Sequence, residues 1–363
     1  MIKFFDFSQA PNEIQEEWLS AIKEVIRKGS YILGKEVETF ESEFASKLGI
    51  KCAIGVGNGL DGLELALLAL EISSGKRVGL PAHTFIATWL SVIRVGAEPV
   101  GIDVDKNGLI SLDDFESKSK FLDAVIPVHM HGSAVDIDSL RKRSQNPNIV
   151  VIEDASQAHF LKTDRGYVGT GGDIAVFSLY PTKNLGALGD AGIVTTDSEK
   201  LALKIRKLRN YGSNENSKYI HDLVGRNSRL DEIQAAILRV NLRYVTEWND
   251  RRVELSNLYL QNLSETHYVV FQEKLESIRH HFCLLVANRS IFREKLSKLG
   301  IETDIHYPNL AAWEVEGLLG KPHGTYPMAS KIASEIISLP LSQWMDSSQI
   351  EIVINALKSI EKI

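Results

Sequence analysis

The sequence predicts an α/β protein with a mostly parallel sheet in a large N-terminal domain and a smaller α+β domain behind it. Between about residue 50 and residue 200, short β-branched runs alternate with helix-like segments. Those runs are continuously apolar, as strands are when helices cover both faces of a parallel sheet. Beyond about residue 250 the alternation gives way to a mixed pattern, and 363 residues are enough for two such units.

Seven apolar runs are predicted to be the strands of the large domain: Cys52–Val56, Arg77–Leu80, Pro99–Val104, Ala124–Val128, Ile149–Ile152, Ile174–Phe177 and Gly192–Thr195. Because helix-like segments separate them, the strands run mostly parallel. In such sheets ligands bind at the carboxyl ends of the strands, so functional residues are expected there.

Helical spacing predicts two helices before the first strand, Glu13–Arg27 and Val37–Leu48, and a long polar-apolar helix over Arg229–Leu258 that bridges two lobes. The C-terminal unit is predicted to contain a strand at His280–Ala287, a helix at Ser290–Leu299, a strand near Ile301–Ile305 and helices after Pro327 and Asp346. We therefore expect a large domain over residues 1–250 and a small one over residues 251–363.

Composition and charge exclude several classes of protein. The 41 Lys and Arg against 47 Asp and Glu give a net charge of −6, so no global positive field would hold nucleic acid or anionic lipid. Apolar runs such as Ala66–Leu70 fall far short of the roughly 20 residues that a membrane span needs. The N-terminus reaches an acid too early for a secretory signal, and a cytoplasmic location is expected. Cys52 and Cys283 lack CxxC spacing, so neither a disulfide nor a metal site is expected.

Two glycine motifs imitate nucleotide-binding sequences. Gly29–Lys35 fits the start of a P-loop, but Glu36 stands where a Mg-binding Ser or Thr is required, and the preceding segment is predicted to be helical. Gly55–Leu60 follows a strand like a dinucleotide turn, yet Leu60 replaces the third glycine, and no ribose-binding acid ends the next strand. The second motif still predicts a phosphate cup of free N–H groups at a helix N-terminus; the alternative is a tight strand-to-helix turn.

Two further segments carry chemistry. Val150–Asp154 is an apolar strand ending in two acids, which points Asp154 into the ligand crevice; the alternative role is a helix N-cap. Lys183 lies in a glycine-rich loop after the strand that ends near Ser178, where an isolated Lys would ordinarily be a solvated amine. A phosphate cup, a buried carboxylate and an amine are the groups that pyridoxal 5′-phosphate requires for its phosphate, its ring nitrogen and its aldehyde.

The sequence resembles the DegT/DnrJ/EryC1/StrS group of sugar aminotransferases, which are pyridoxal-phosphate enzymes of fold type I, with the aspartate aminotransferase fold and a mixed seven-stranded sheet. The resemblance rests on ordered segments along nearly the whole chain: Gly29–Gly34, Phe40-Glu41, Pro81–Thr88, His131-Gly132, Glu153–His159, Tyr180–Asn184 and Arg226–Ala236.

The resemblance implies a role for each candidate residue. Lys183 would form the Schiff base with the cofactor and move the proton, Asp154 would bind the pyridine nitrogen, and Gln157 would lie near the ring hydroxyl. The remaining cofactor residues implied are the backbone at Gly59 and Leu60 and the Ser178 hydroxyl for the phosphate, Phe85 stacked on the ring, and Asn227 reaching into the neighbouring subunit. The last role implies a homodimer with shared active sites. Gln157 and Asn227 have an alternative as capping residues, and Phe85 as a core aromatic.

The resemblance also implies a substrate. Family members move an amino group, usually from L-glutamate, through pyridoxamine phosphate to a nucleotide-linked keto sugar. Gly57–Asp61 and Ile305–Pro308 resemble the branch that aminates C3 of dTDP-3-keto-6-deoxyhexoses. In that branch a His-Tyr pair lies near the sugar together with two further tyrosines; the matching residues here are Tyr31, Tyr180, His306 and Tyr307. After Pro308 the match weakens, because the chain reads Asn309-Leu-Ala-Ala-Trp313 where members of the branch usually read Ile-Pro-Pro-His-Leu-Gln.

Three other functions are consistent with parts of this pattern. A C4 aminotransferase acting on a nucleotide-linked 4-keto sugar shares all the cofactor residues and differs only in the substrate pocket. A sugar 3-dehydratase has His in place of the Schiff-base Lys, so Lys183 argues against it. A non-catalytic regulator that binds the cofactor would not need the intact Lys, Asp and Gln.

Overall fold

The first two helices lie outside the central sheet, and both end at a glycine. The computed structural model describes residues 1–214, 217–263 and 268–360. Helix α1 spans Asn12–Lys28 and α2 spans Lys35–Leu48. Gly29 and Gly49 close them in the left-handed conformation, with φ of 69° and 78°. The P-loop-like motif therefore begins as a helix C-cap, and the prediction that a helix precedes it is confirmed.

The N-terminal part of the chain alternates strands and helices. Its elements in chain order are β1 (Cys52–Val56), α3 (Gly59–Ala69), β2 (Arg77–Pro81), α4 (Ile86–Arg94), β3 (Glu98–Ile102), α5 (Leu112–Ser119), β4 (Ala124–Val125), α6 (Ile137–Arg143), β5 (Val150–Asp154), β6 (Lys162–Thr163), β7 (Gly166–Tyr167), β8 (Ile174–Ser178), β9 (Gly192–Thr196) and α7 (Glu199–Leu208). The pair β6–β7 forms a separate small hairpin.

The central sheet has seven strands in the order β1-β9-β8-β5-β4-β2-β3. Strands β8, β5, β4, β2 and β3 pair in parallel, whereas β9 runs antiparallel to both β1 and β8. The predicted mixed, mostly parallel sheet is confirmed. Since β1 and β8 point the same way as β5, their carboxyl ends meet at one edge, and the loops that leave those strands lie close together.

The rest of the chain adds a short hairpin, a long helix and the C-terminal unit. The elements are β10 (Ser213–Asn214), β11 (Ser217–His221), α8 (Glu232–Leu263), β12 (Val269–Val270), β13 (Phe282–Leu285), α9 (Arg289–Lys298), α10 (Ala311–Leu318), α11 (Pro327–Glu335), β14 (Ile336–Leu339) and α12 (Ser347–Ser359). Strands β12, β13 and β14 form an antiparallel sheet.

Helix α8 joins two hydrophobic cores. Leu238 and Val245 pack with α2 and the central sheet, while Leu255 and Tyr259 pack in the core of the C-terminal unit. The predicted boundary at residue 250 lies inside this helix. Burying such large apolar side chains at both ends, at roughly 2 kcal/mol each, ties the two cores together.

One predicted strand is wrong. The segment from Ile301 to Ile305 makes only isolated bridges, from Ile301 to Ile2 and from Asp304 to Ser338. Its two ends therefore pair with different segments, and no continuous ladder forms. Within the described ranges, no helix has the length and hydropathy needed to cross a membrane.

Candidate active site

A cavity of about 470 Å³ lies at the carboxyl ends of β1, β5 and β8. It brings together most of the predicted site residues: Gly59, Leu60, Phe85, Asp154, Gln157, Ser178, Tyr180, Lys183, His306 and Tyr307. Tyr31 and Asn227 are not among its lining residues. The segments concerned are far apart in sequence, so the fold, and not local spacing, assembles this site.

The N-terminus of α3 forms a cup beside the end of β8. The Asn58 side chain accepts a hydrogen bond from the Asp61 N–H at 2.9 Å, and the Gly62 N–H donates to the Asn58 carbonyl. The hydrogen bonds found among the described residues do not use the N–H groups of Gly59 and Leu60, as is usual in the first turn of a helix. A Cβ at Gly59 would lie 2.9 Å from the Ser178 Cβ. Glycine therefore keeps the cup open beside the Ser178 hydroxyl, which suits a phosphate group.

Lys183 lies in the loop that follows β8, and buried neighbours and a backbone hydrogen bond fix this loop. The flanking Leu179 and Leu185 are fully buried, and the Lys183 N–H donates to the Tyr180 carbonyl at 2.9 Å. Burial of the amine lowers the pKa of Lys183 to about 8, although the charge of Asp154 acts in the opposite direction. About a tenth of the amine is therefore neutral at pH 7. The neutral amine is the form that attacks a carbonyl carbon.

Asp154 ends β5 with a buried carboxylate held at both oxygens. Its Oδ2 accepts from Thr88 Oγ1 at 2.9 Å, and its Oδ1 accepts from the Ser156 N–H at 3.2 Å. Thr84 Oγ1 lies 3.2 Å from the Thr88 hydroxyl. These contacts fix the orientation of the carboxylate, so Asp154 can present an anionic oxygen to a protonated ring nitrogen.

Gln157 connects two sides of the cavity. Its Oε1 accepts from the His131 N–H at 2.7 Å, and its Nε2 donates to the Tyr307 hydroxyl at 3.1 Å. The Tyr307 N–H donates to His83 Nε2 at 3.0 Å. Burial lowers the pKa of His83 to about 4, so this imidazole is a neutral acceptor at physiological pH. Gln157 thus couples the β5 segment to the His306-Tyr307 segment.

Aromatic side chains line the open part of the cavity. Phe85 and Tyr180 are about half exposed, and the Phe85 ring centroid lies 5.4 Å from that of Tyr307. Burial lowers the pKa of His306 to about 4 and raises the pKa of the Tyr307 hydroxyl. The His306 and Tyr307 side chains are therefore both neutral. Neutral donors and acceptors suit the hydroxyl groups of a sugar ligand better than they suit a carboxylate ligand.

The structure places Tyr31 and Asn227 away from this cavity. Tyr31 is half exposed, and its carbonyl accepts from the Glu232 N–H at 3.1 Å. Asn227 is an exposed residue that pairs with Asn210 in an isolated bridge. Neither residue lines the cavity of its own chain, and the roles predicted for Tyr31 and Asn227 stay predictions.

Sequence reasoning missed several residues that complete the site. Thr88 donates a hydrogen bond to Asp154. The His131 N–H donates to Gln157, and the His281 ring stacks on His306. Thr84 precedes α4 and Thr88 lies in its first turn, and this pair of hydroxyls four residues apart is a signal that could have been found. His281 carries no such signal, because only tertiary packing brings it to the cavity.

These groups fit pyridoxal phosphate. The cup at Gly59 would hold the phosphate, the Asp154 carboxylate would pair with the ring nitrogen, and the Lys183 amine would react with the aldehyde. The fold and the site together define a pyridoxal-phosphate-dependent enzyme of fold type I.

Comparisons with known proteins identify the family. Residues 12–358 match the DegT/DnrJ/EryC1/StrS aminotransferase family, and the chain belongs to that family. It is a pyridoxal-phosphate-dependent aminotransferase.

Relatives match over almost their whole length. The erythromycin biosynthesis sensory transduction protein EryC1 of Saccharopolyspora erythraea is 39% identical, with 99% of each chain covered. The dTDP-3-amino-3,6-dideoxy-alpha-D-galactopyranose transaminase of Aneurinibacillus thermoaerophilus is 38% identical, with 98% of this chain and 99% of that one covered. Among solved structures, S. venezuelae DesV in complex with a ketimine intermediate superposes with a TM-score of 0.94 at 36% identity, covering 98% of this chain and 97% of that one.

Proposed function

We propose that this enzyme transfers the amino group of L-glutamate to C3 of a dTDP-3-keto-6-deoxyhexose, which gives a dTDP-3-amino-3,6-dideoxyhexose. The observation that carries the proposal is the 38% identity, over 98% of the chain, to a transaminase whose name specifies a 3-amino-3,6-dideoxy sugar. The neutral His306-Tyr307 pair beside Tyr180 supports a sugar as the acceptor.

The residues divide the work in this proposal. When bound, pyridoxal phosphate supplies the electron sink that makes the α-proton of the amino donor acidic. Asp154, held by Thr88 and Ser156, keeps the ring nitrogen protonated. Lys183 Nζ would take the proton from the donor carbon, since its lowered pKa makes the neutral amine accessible near neutral pH. Phe85 covers the ring, and the α3 cup holds the phosphate.

A homodimer with shared active sites is part of the proposal. Among the described residues that line the cavity, Lys183 is the sole cation, whereas a nucleotide diphosphate and the carboxylates of L-glutamate need several positive or N–H groups. Asn227 lies on the surface outside its own cavity. We infer that a second subunit brings its Asn227 segment to this cavity and completes the phosphate site there.

A coupled assay tests the substrate. Purified protein with pyridoxal phosphate and L-glutamate is offered dTDP-3-keto-6-deoxyhexose and dTDP-4-keto-6-deoxyhexose separately, and the products are identified by mass and NMR. A 3-amino product is expected. A 4-amino product alone would overturn the C3 assignment and leave the aminotransferase class intact. The absence of any product from either sugar would move the search to UDP- and GDP-linked sugars.

The amino donor has a separate readout. L-glutamate alone should convert the absorbance of the bound cofactor to that of pyridoxamine phosphate, and L-glutamine or L-alanine should do so more slowly. A cofactor band that no amino acid changes would instead favour a regulator that only binds the cofactor.

A further inference from the structure

Two imidazoles from different segments form one wall of the cavity. His281 and His306 stack with ring centroids 3.8 Å apart and planes 15° from parallel, and both line the cavity. His281 directly precedes β13, whereas His306 follows the segment that replaces the predicted Ile301–Ile305 strand. The stack therefore depends on how the C-terminal unit folds, and His281 has no role in the proposed reaction so far.

A hydrogen bond to His131 holds the ring of His281 in place. The two Nδ1 atoms lie 3.1 Å apart, so one of them donates a hydrogen that the other accepts. His131 itself is buried and has a positive φ of 58°, which a non-glycine residue adopts only when its surroundings require it. Its carbonyl accepts from the His280 N–H at 3.1 Å, and its N–H donates to Gln157.

The next residue makes this approach possible. Gly132 has a φ of +91°, and a Cβ there would lie 2.9 Å from the His280 nitrogen. Any side chain at this position would therefore push the His280-His281 segment away from His131. The left-handed pair His131-Gly132 fixes His281 relative to Gln157 and so relative to the cofactor side of the cavity.

The other ring nitrogen of His281 remains for a ligand. The hydrogen bonds found among the described residues use its Nδ1 and leave Nε2 without a protein partner. Burial, together with the neighbouring imidazoles and Lys183, lowers the pKa of His281 well below its ordinary value. A neutral imidazole edge offers a single donor or acceptor, which suits a hydroxyl group and does not suit an anion that requires a positive charge.

We propose that His281 is a specificity-determining residue whose Nε2 hydrogen-bonds a ring hydroxyl of the keto sugar, while His131 fixes the ring through Nδ1. This inference rests on the proposed function, since it requires a sugar acceptor. It adds a contact on the face of the cavity formed by the His281-His306 stack.

Three substitutions of His281 distinguish a hydrogen bond to the sugar from a purely structural role of this residue. His281→Gln carries an amide at the position of Nε2, His281→Asn carries one only near Nδ1, and His281→Phe keeps a ring on His306 without either nitrogen. KM for the keto sugar, KM for L-glutamate and kcat are measured for each variant. Loss of one neutral hydrogen bond should raise KM for the keto sugar about tenfold in the Asn and Phe variants. The Gln variant should stay within about threefold of wild type by the same reasoning.

Controls make each outcome decisive. His323→Asn changes an imidazole that stacks on Trp313 outside the cavity, and it should leave both KM values unchanged. An unchanged KM for the keto sugar in His281→Asn, with wild-type protein active, would overturn the role of His281 alone. Equal losses in the Asn and Gln variants, or equal rises in both KM values, would show a structural role and also overturn it. If the Phe variant does not fold, the Asn and Gln pair decides. Wild-type protein that aminates no sugar would overturn the proposed function first.

Discussion

Thr88 Oγ1 donates a 2.9 Å hydrogen bond to Oδ2 of Asp154, and both side chains are buried. The contact links the first turns of α4 to the end of β5, which are neighbours only because β2 and β5 both flank β4 in the sheet. Thr88, which is far from Asp154 in sequence, thereby fixes the position of one oxygen of the Asp154 carboxylate. The order of the strands in the sheet therefore determines the orientation of the Asp154 carboxylate.

The first prediction concerns this hydrogen bond. Thr88→Val keeps the shape of the side chain and removes the donor, so Asp154 loses one of its two fixed contacts. We expect the dissociation constant for pyridoxal phosphate, measured by fluorescence titration of apoenzyme, to rise about tenfold. Thr88→Ser retains the hydroxyl and should restore most of the affinity. Equal affinities in the Val variant and wild type would show that the Ser156 N–H suffices to hold the carboxylate.

Asp154 itself gives a second prediction. In Asp154→Asn an amide replaces the carboxylate, and an unprotonated pyridine ring withdraws electrons poorly. The rate of the L-glutamate half-reaction, followed by stopped-flow absorbance, should fall by orders of magnitude while weak cofactor binding persists. Circular dichroism should show the fold unchanged. Half-reaction rates close to wild type would refute the assigned role.

The strands of the central sheet and the positions of Asp154 and Lys183 could be predicted from the sequence, whereas the contacts in the wall of the cavity could not. Asp154 and Lys183 could be placed because each follows an apolar strand, and in parallel sheets strand ends meet at one edge. The contacts of His281 with His131 and His306 could not be predicted, because they join three segments with no shared periodicity. The strand expected near Ile301 failed for a related reason, since its β-branched composition does not reveal that its pairing partners diverge.

A third prediction follows from the buried amine of Lys183. Its pKa of about 8 means that the neutral fraction falls about tenfold for each pH unit below that value. The rate at which apoenzyme captures pyridoxal phosphate should therefore rise with pH and level off above about pH 8, after correction for ionisation of the free cofactor with a small amine as reference. Lys183→Ala should capture no cofactor covalently and turn over no substrate. A flat pH profile would contradict the lowered pKa, and full activity of the Ala variant would contradict the catalytic role.

Mixed dimers test whether active sites are shared. Lys183→Ala and Asn227→Ala proteins should each lose most activity as homodimers. A mixed dimer built from one subunit of each contains one site with both changes and one site with neither, provided that Asn227 acts in the neighbouring subunit. Unfolding and refolding the two variants together should therefore regain activity, and the two proteins assayed separately provide the baseline. If Asn227 acts within its own chain, every site carries one change and no activity returns.

The final prediction concerns Glu153, which precedes Asp154 but points away from the cavity toward a loop. Its buried carboxylate accepts from the N–H groups of Gly169 at 3.0 Å, Gly171 at 2.8 Å and Gly172 at 2.6 Å, and from His129 Nε2 at 2.9 Å. Burial alone would raise the pKa of Glu153, but His129 and these N–H donors outweigh it and hold the pKa below its ordinary value.

A carboxyl whose pKa is lower in the folded protein stabilises the fold above its unfolded-state pKa, and it loses that effect as the pH falls through the folded-state value. The wild-type urea midpoint should therefore decline below about pH 4, and Glu153→Gln should lack this part of the decline. The Gln variant should also be less stable at pH 7, by about 3 kcal/mol, because its amide N–H₂ faces backbone donors. Glu351→Gln, on the exposed face of α12, serves as the matched control and should follow wild type at every pH. A Glu153→Gln midpoint that runs parallel to wild type from pH 3 to pH 7 would show that the carboxylate charge does not stabilise this loop.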